Sequence, residues 1–207
     1  MGSPVAVRGD LGRTQAVTRL LLASTSAQRR AILEQLRIPF EAVAPSYVEH
    51  DPLDADPVEL VRAHAEGKAR SVQRADALTL GVDTTVHLDG RIYGKAADRR
   101  DAAAMLGQLS GRTHAVLSGL CLLAPEAVEI EHVATAVTFR ALSGRDIELY
   151  LDSGEWAGRA GAYAIQGLGG RLVERIEGDY LNVVGLPAAA LLRLLDRRAP
   201  ELLQIRS

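Results

Sequence analysis

The chain reads Leu20-Leu21-Leu22-Ala23-Ser24-Thr25-Ser26-Ala27-Gln28-Arg29-Arg30-Ala31-Ile32-Leu33 near its start, and this stretch decides the fold. An apolar run ends at hydroxyl side chains, and a basic stretch with helical spacing follows, which predicts a strand leading into a helix. The first N–H groups of a helix lack intrahelical partners and carry partial positive charge, so hydroxyls and an arginine beside them form a phosphate site. The alternative is an ordinary capped helix, with Ser26 as the N-cap and both Arg29 and Arg30 in solvent.

Helices and strands alternate on either side of this stretch. Apolar periodicity predicts helices at 27–36, from Pro57 onward, at 98–109, from Ser143 onward and at 187–197. Runs of apolar and β-branched residues predict strands at 40–44, 78–88, 91–93, 116–123, 128–140 and 172–176, with Asp89-Gly90 as a hairpin turn. Residues 47–57 predict a loop that brings Glu49 near the surface, and 154–170 is glycine-rich and irregular. Interleaved elements without a repeat indicate an α/β protein.

Length and composition indicate one folded unit. With 207 residues and 47% hydrophobic content, the chain can bury a sizeable core, and we expect a single domain at 18–207 after a flexible leader at 1–17. The net charge of −2 provides no field for a nucleic-acid polymer, although a local basic cluster can hold one small phosphate ligand.

The single cysteine and the hydropathy pattern bear on the compartment. Cys121 lies in an apolar run, which predicts a buried strand thiol, and one cysteine cannot form a disulfide framework, so a reducing cytoplasm fits. The leader has no long apolar segment typical of a signal peptide, and no run approaches the roughly 18 apolar residues that span a bilayer. We therefore predict a soluble protein with no membrane partner.

Two carboxylates are candidates for chemistry. Asp83 interrupts an apolar strand, where a carboxylate must be paired, bound to a metal or at the strand's end, and the simplest alternative is that it ends the strand and hydrogen-bonds Thr84 or Thr85. Glu49 is an acidic loop residue, for which simple solvation is the alternative. Hard cations such as Mg²⁺ favour one or two carboxylates together with substrate phosphates.

The segment Gly90–Lys95 is similar to a P-loop, but the similarity fails in detail. Its glycine spacing is one residue short, and neither serine nor threonine follows Lys95. A P-loop is therefore excluded. His114 has no His, Cys or acidic neighbour at zinc-ligand spacing, so it is not assigned to a zinc site. Trp156 is predicted to be a packing anchor.

Four blocks of sequence, in this order, resemble the Maf family of nucleoside triphosphate pyrophosphatases. They are Leu22-Ala23-Ser24-Thr25-Ser26 with Arg29; Gly81-Val82-Asp83-Thr84-Thr85-Val86 through Gly94-Lys95; Leu109-Ser110-Gly111-Arg112-Thr113-His114; and Ala160-Gly161-Ala162-Tyr163-Ala164-Ile165-Gln166-Gly167 through Asn182-Val183-Val184-Gly185-Leu186-Pro187. The resemblance runs from about Arg19 to Leu195, nearly the whole chain.

This resemblance implies a fold and a reaction. The fold is a mixed, elongated β-sheet flanked by helices, with two lobes and a central cleft similar to that of inosine triphosphatases, often as a homodimer. The reaction is metal-dependent hydrolysis of a nucleoside triphosphate between the α- and β-phosphates, with Mg²⁺ or Mn²⁺ as the cofactor. The residues it implies are Asp83, Glu49 and Lys95 for catalysis, Glu49 and Asp83 for the metal, and Ser24, Ser26, Arg29, Lys68, Thr84 and Gln166 for the substrate.

The Ala-Ile-Gln-Gly block looks like the branch of the family that hydrolyses dTTP and UTP. The Gln166 amide both donates and accepts hydrogen bonds, which suits the edge of uracil or thymine. Three departures weaken parts of the match: Val48 replaces the first of two acids, Ala96 replaces a proline, and Ala27-Gln28 replaces Pro-Arg. A 7-methyl-GTP pyrophosphatase and a nucleotide-binding regulator of septum formation remain as alternatives.

Overall fold

The computed structural model of the protein describes residues 19–50, 52 and 55–204. The predicted leader at 1–17 lies outside the described residues, and so do positions 51, 53 and 54 of the predicted loop. The strands are β1 (Arg19–Ala23), β2 (Glu41–Val43), β3 (Ala77–Leu88), β4 (Arg91–Tyr93), β5 (Thr113–Ala124), β6 (Ala127–Phe139) and β7 (Val173–Glu177). The helices are α1 (Ala27–Gln35), α2 (Pro57–Ser71), α3 (Arg99–Leu109), α4 (Gly144–Leu151), α5 (Tyr180–Val184) and α6 (Ala188–Arg198), with short 3₁₀ helices at Leu168–Leu172 and Pro200–Leu203.

The seven strands form one mixed sheet in the order β2-β1-β3-β5-β6-β7, with β4 paired to β3. Strands β2, β1 and β3 are parallel, whereas the pairs from β3 through β5 and β6 to β7 are antiparallel. The predicted α/β class and the mixed sheet flanked by helices are confirmed. The sheet is elongated because β3, β5 and β6 are long. Strand β1 pairs only with the first half of β3, up to Gly81, and the other three strands continue beyond that point.

Besides a small apolar cluster between α2 and β5, the sheet supports two larger hydrophobic cores. One packs α1 and α6 on the β1 side and includes Leu22, Leu33 and Leu191. The other packs α3, α4 and the glycine-rich segment on the far half of the sheet and includes Leu106 and Phe139. Since both cores share β3 and β5, these two strands connect the lobes.

Helix α2 lies unusually close to the sheet at two glycines. A Cβ atom added to Gly81 would lie 1.9 Å from the carbonyl oxygen of Ala65, and one added to Gly119 would lie 2.1 Å from that of Val61. These distances are far inside van der Waals contact, so any side chain at either position would push the helix away. The two glycines therefore fix the depth at which α2 presents its side chains to β3.

Most local predictions are confirmed. Ser26 caps α1 by accepting from the Arg29 backbone N–H, and Ser143 with Asp146 forms the predicted capping box of α4. Asp89 and Gly90 take positive φ angles of 49° and 77°, as a tight hairpin turn requires. Cys121 is buried, and burial raises the pKa of its thiol to about 12.

One alternative left open for Asp83 is wrong, and one helix was missed. Asp83 does not end its strand, because β3 continues to Leu88 and Asp83 pairs with Gly119 in its interior. Sequence analysis also missed α5, a helix of five residues that is too short to show a hydrophobic period. Among the described residues, no helix is both long and apolar enough to span a bilayer.

Candidate functional site

A cleft of about 560 Å³ opens where the two lobes meet, and it receives side chains from both. Every residue that the sequence proposes for the site lines this cleft: Ser24, Ser26, Arg29, Glu49, Lys68, Asp83, Thr84, Lys95 and Gln166. These residues come from the β1–α1 turn, the loop before α2, α2 itself, β3, the segment after β4 and the glycine-rich segment. The fold thus brings together residues up to 142 positions apart in sequence, from Ser24 to Gln166.

One part of the cleft, the carboxylate end, consists of Glu49, His64, Lys68 and Asp83. The Lys68 Nζ atom lies 2.6 Å from Glu49 Oε1 and 2.6 Å from Asp83 Oδ1. The Lys68 side chain is only 9% exposed and that of Asp83 14%, so this ion pair is largely shielded from water, whereas Glu49 is 41% exposed. Burial alone would raise the pKa of Glu49, but the hydrogen bond and charge of Lys68, aided by Lys95 and His64, hold this pKa below its ordinary value.

The partners of Lys68 differ from the sequence-based expectation. The sequence assigns Lys68 to the triphosphate beside Arg29, whereas its ammonium contacts both carboxylates in the structure. The reason is tertiary: α2 is held against β3, which brings Lys68 to Asp83, and the loop before α2 adds Glu49. Lys68 therefore compensates the negative charge that these two acids would otherwise concentrate in a buried place.

His64 completes a group of three potential metal ligands. One ligand atom from each of Glu49, His64 and Asp83 can be chosen such that all three atoms lie within 4.8 Å of one another. The imidazole is buried, its Nε2 lies 3.3 Å from the carbonyl oxygen of His50, and its ring meets Tyr47 edge-on at 5.7 Å between centroids. Two carboxylates and an imidazole form a donor set that suits a divalent cation.

The β1–α1 turn has the features of both sequence-based interpretations. Ser26 caps the helix, and Ser24 Oγ accepts hydrogen bonds from the Ser26 backbone N–H at 3.1 Å and from Arg29 Nη1 at 3.3 Å. Arg29 is not in solvent: its Nε donates to the carbonyl oxygen of Gly185 at 2.9 Å. Burial lowers the pKa of Arg29, and the charges of Asp83 and Glu49 oppose this shift. The arginine is thus fixed in the cleft wall, at the start of a helix.

Thr84 helps to hold Arg29 in place through a hydrogen bond. Its hydroxyl accepts from Arg29 Nη2 at 3.3 Å and lies 2.9 Å from the Ser118 hydroxyl on β5. Arg29 therefore contacts Ser24, Thr84 and Gly185, which belong to three different parts of the chain.

A second part of the cleft, the loop end, consists of Lys95, Arg159 and Gln166. Lys95 forms an isolated antiparallel bridge with Ala160, and the Gly161 N–H lies within hydrogen-bonding distance of the Tyr93 and Gly94 carbonyl oxygens, so the segment after β4 is held against the glycine-rich segment. The side chains of Lys95 and Gln166 are exposed. This end therefore offers polar groups to a ligand without fixing them in advance.

Aromatic packing supports the loop end from below. Tyr163 lines the cleft, its hydroxyl lies 2.9 Å from His114 Nε2, and the His114 ring meets Phe139 edge-on at 4.9 Å. Burial lowers the pKa of His114 to about 4 and raises that of Tyr163, so both rings are neutral at pH 7. The His114 imidazole therefore helps to form the floor beneath the loop end, a role that the sequence analysis does not assign to it.

Sequence analysis missed two cleft residues with clear chemistry, His64 and Arg159. His64 has the spacing of a core position on α2, and such spacing does not indicate carboxylate neighbours. Arg159 lies beside Gly158, and its buried Nε has no hydrogen-bond partner in the described part of the chain. An arginine within a glycine-rich segment was a signal that could have found it. Trp156 is the predicted packing anchor, partly buried against the second core.

Comparison with known proteins gives a consistent result. A family profile described as "Maf-like protein" matches residues 19–198. The chain is 44% identical to a protein named dTTP/UTP pyrophosphatase from Symbiobacterium thermophilum, over 86% of this chain and 93% of that one. It is 46% identical to a dTTP/UTP pyrophosphatase from Moorella thermoacetica, over 86% and 94%. A solved HAM1 protein from Coxiella burnetii covers 59% of this chain and 73% of its own at 17% identity, with a TM-score of 0.41, which is too weak for inference.

Proposed function

The chain belongs to the Maf family, and on that premise we propose that it hydrolyses dTTP and UTP to the monophosphate and pyrophosphate. The observation that carries this proposal is one cleft that combines two carboxylates paired with a buried lysine, exposed hydrogen-bonding groups and a capped helix N-terminus with a fixed arginine in its wall. A triphosphate needs positive charge along its length, and its base needs donors and acceptors. The cleft offers both, in one continuous space.

A divalent cation fits the carboxylate end, with Glu49 and Asp83 as its proposed ligands. Their oxygen atoms are the donors that Mg²⁺ and Mn²⁺ favour, and each contacts Lys68 through one oxygen and has a second one. When bound, such an ion supplies a Lewis acid that polarises a phosphate oxygen and makes bound water more acidic. The depressed pKa of Glu49 keeps that carboxylate ionised across the neutral range, as a metal ligand must be.

The phosphates would bind to the cations and to the start of α1. Arg29, held by Ser24, Thr84 and Gly185, presents a guanidinium whose orientation is already set, so little conformational entropy is lost when it binds a phosphate. Lys95 is an exposed cation of the cleft lining and would add a second positive charge. Charge that grows on the phosphate oxygens in the transition state is then met by Arg29, which is already in position, and by Lys95.

Base recognition falls to the loop end, with Gln166 as the proposed contact. Its amide offers a donor and an acceptor together, which matches the pyrimidine edge. Since the side chain is exposed, we expect it to contribute to selectivity more than to affinity.

The function is tested by measuring kcat/KM for dTTP, UTP, CTP, GTP and 7-methyl-GTP with Mg²⁺ or Mn²⁺, and again after chelation of the metal. The proposal expects the highest values for dTTP and UTP and loss of turnover on chelation. A preference for 7-methyl-GTP would contradict the branch assignment. Tight nucleotide binding without hydrolysis of any triphosphate would favour the regulator of septum formation.

The proposal extends to location and assembly. We expect the enzyme in the cytoplasm, where nucleoside triphosphates are made, and as the homodimer that the family resemblance implies. Sedimentation velocity of the purified chain tests the second expectation.

A further inference from the structure

We propose that Ser118 is a positioning residue for Arg29. Its hydroxyl fixes the direction of the Thr84 hydroxyl, so that Thr84 accepts a hydrogen bond from the guanidinium that is assigned to the phosphates. This inference rests on the proposed function, since Arg29 is one of its phosphate contacts. Ser118 is fully buried and is not among the described residues that line the cleft, so it acts on a ligand only through another side chain.

Strand pairing places Ser118 beside Thr84. The two residues are directly opposite each other in the antiparallel pair of β3 and β5, and such side chains lie on the same face of a sheet. Their hydroxyl oxygens are 2.9 Å apart. Since Ser118 is 0% exposed, bulk water does not replace this partner. The contact is thus fixed by the register of two long strands that both cores share.

The hydrogen-bond partners determine which hydroxyl donates. Among the described residues, the Ser118 hydroxyl has one hydrogen-bond partner, Thr84, so a Ser118 proton directed elsewhere would be buried without an acceptor. Ser118 therefore donates to Thr84. The Thr84 proton is then available for the Gly185 carbonyl oxygen at 3.4 Å, which only accepts. The lone pairs of Thr84 accept from Ser118 and, at 3.3 Å, from Arg29 Nη2.

This arrangement surrounds the Arg29 guanidinium with oriented acceptors. Arg29 Nε donates to the same Gly185 carbonyl at 2.9 Å, and Nη1 donates to Ser24 Oγ at 3.3 Å. Removal of the Ser118 hydroxyl would release Thr84 from one of its contacts, so that Nη2 loses a fixed acceptor while the other two contacts of Arg29 remain. We therefore expect a guanidinium that stays in the cleft wall but is held less firmly.

The competing explanation is that Thr84 only satisfies the buried Ser118 hydroxyl. The Gly185 and Ser24 oxygens would then be sufficient to hold Arg29. The two explanations differ in what the loss of the Ser118 hydroxyl does to the guanidinium, and they agree on its effect on packing.

Side-chain NMR of the full chain, labelled with ¹⁵N-arginine, measures this difference without substrate. The Nη signals that are missing from Arg29→Lys identify Arg29, and in the wild type their protons should exchange with water more slowly than those of the exposed Arg100. In Ser118→Ala, exchange of the Arg29 Nη protons should become about fivefold faster, the scale of one neutral hydrogen bond. Exchange of the Arg29 Nε proton, which bonds Gly185, should change less.

Kinetics give the second measurement. Ser118→Ala should lower kcat/KM for dTTP and UTP by about fivefold. In an Arg29→Lys background the same substitution should change kcat/KM by less than about twofold, because the group that Ser118 positions is absent. Thr138→Ala is the matched control, since Thr138 pairs its hydroxyl with Thr113 across β5 and β6 outside the cleft lining, and it should leave both measurements unchanged.

Three outcomes overturn the proposal. They are wild-type Arg29 Nη protons that exchange as fast as those of Arg100, unchanged Nη exchange in folded Ser118→Ala, and an equal loss of kcat/KM in both backgrounds. The first needs no variant of Ser118, so it does not depend on the folding of one. The proposed hydrolysis fails separately, if pyrophosphate is not released from any triphosphate, and the exchange measurement still tests the role of Ser118 in that case.

Discussion

The two ends of the cleft are built in opposite ways. At the carboxylate end, Lys68 is buried on a helix and Asp83 is largely shielded on a central strand, and the ammonium contacts both Asp83 and Glu49. At the loop end, Lys95 and Gln166 are exposed on irregular segments, which are joined by the Lys95–Ala160 bridge and by the Gly161 N–H. The first arrangement fixes charges before a ligand arrives, whereas the second leaves polar side chains free to adjust.

This difference indicates a division of labour. Groups that act on reacting atoms must be held within a fraction of an ångström, which regular elements provide, while recognition of a variable part of the ligand tolerates a loop. Changes at the carboxylate end, and at Lys95, whose charge we propose binds the phosphates, should therefore reduce the rate for every triphosphate, whereas changes at Gln166 should alter the ranking of bases. Three variants test this distinction and a fourth, at His114, tests the stability of the floor beneath the loop end; they are given in order of expected effect.

Asp83→Asn should have the largest effect. The side chain keeps its shape but loses its charge, so the fold should persist while kcat for dTTP falls by on the order of a hundredfold or more. Asp76→Asn removes an exposed carboxylate that pairs with Arg19, and it serves as the control with near-normal kcat. Near-normal turnover in a folded Asp83→Asn protein would remove Asp83 from catalysis.

Lys95→Ala comes next, because Lys95 is a charged contact for the phosphates that every substrate shares. Loss of one charge-assisted hydrogen bond should cost about 1.5–3 kcal/mol of transition-state stabilisation. The kcat/KM of each triphosphate should fall accordingly, and the ranking of the bases should be preserved. Arg91→Ala is the matched control, since Arg91 is an exposed cation on the same hairpin outside the cleft lining. If Lys95→Ala instead reordered the bases at constant efficiency, Lys95 would belong to base recognition.

His114 makes the floor of the loop end sensitive to acid. Its pKa is about 4 in the folded protein but near 6.5 when unfolded, so the unfolded state binds the proton first as the pH falls. The stabilisation that the neutral ring provides is present above about pH 6.5 and is lost toward pH 4. The free energy of unfolding should therefore fall by about 2 kcal/mol between pH 7 and pH 5 because of His114.

Urea unfolding at the two pH values measures this loss. His114→Gln retains a donor for Tyr163 and does not titrate. Its free energy of unfolding should therefore fall between pH 7 and pH 5 by about 2 kcal/mol less than that of the wild type. His132→Gln, at an exposed position, should behave as the wild type. Equal pH dependence in His114→Gln and wild type would show that burial of His114 does not govern the acid sensitivity.

Gln166→Ala should give the smallest effect and the one most specific to the base. An exposed, uncharged hydrogen bond contributes about 1 kcal/mol to binding, so the ratio of kcat/KM for dTTP to that for GTP should fall roughly fivefold. The kcat for dTTP should change little. Gln108→Ala provides the control, because Gln108 is an exposed glutamine on α3 that bonds Arg91. An unchanged ranking would exclude Gln166 from base recognition.

The sequence predicted the elements better than the contacts between them. Helix α1 was predictable because its cap, its period and the preceding strand all agree locally, while α5 has too few residues for a period. All nine proposed residues line the cleft, yet the pairing of Lys68 with Glu49 and Asp83 was not predicted. That pairing depends on how closely α2 approaches the sheet, which is set by the absence of side chains at Gly81 and Gly119, and no local pattern encodes such a distance.

The most direct test of the account is the identity of the phosphorus products. Phosphorus NMR of dTTP incubated with the full chain and Mn²⁺ follows every phosphate at once. Cleavage between the α- and β-phosphates predicts dTMP and pyrophosphate in equal amounts, at a rate that the Asp83→Asn variant loses. Formation of dTDP with orthophosphate, or products that appear equally fast with Asp83→Asn, would contradict it.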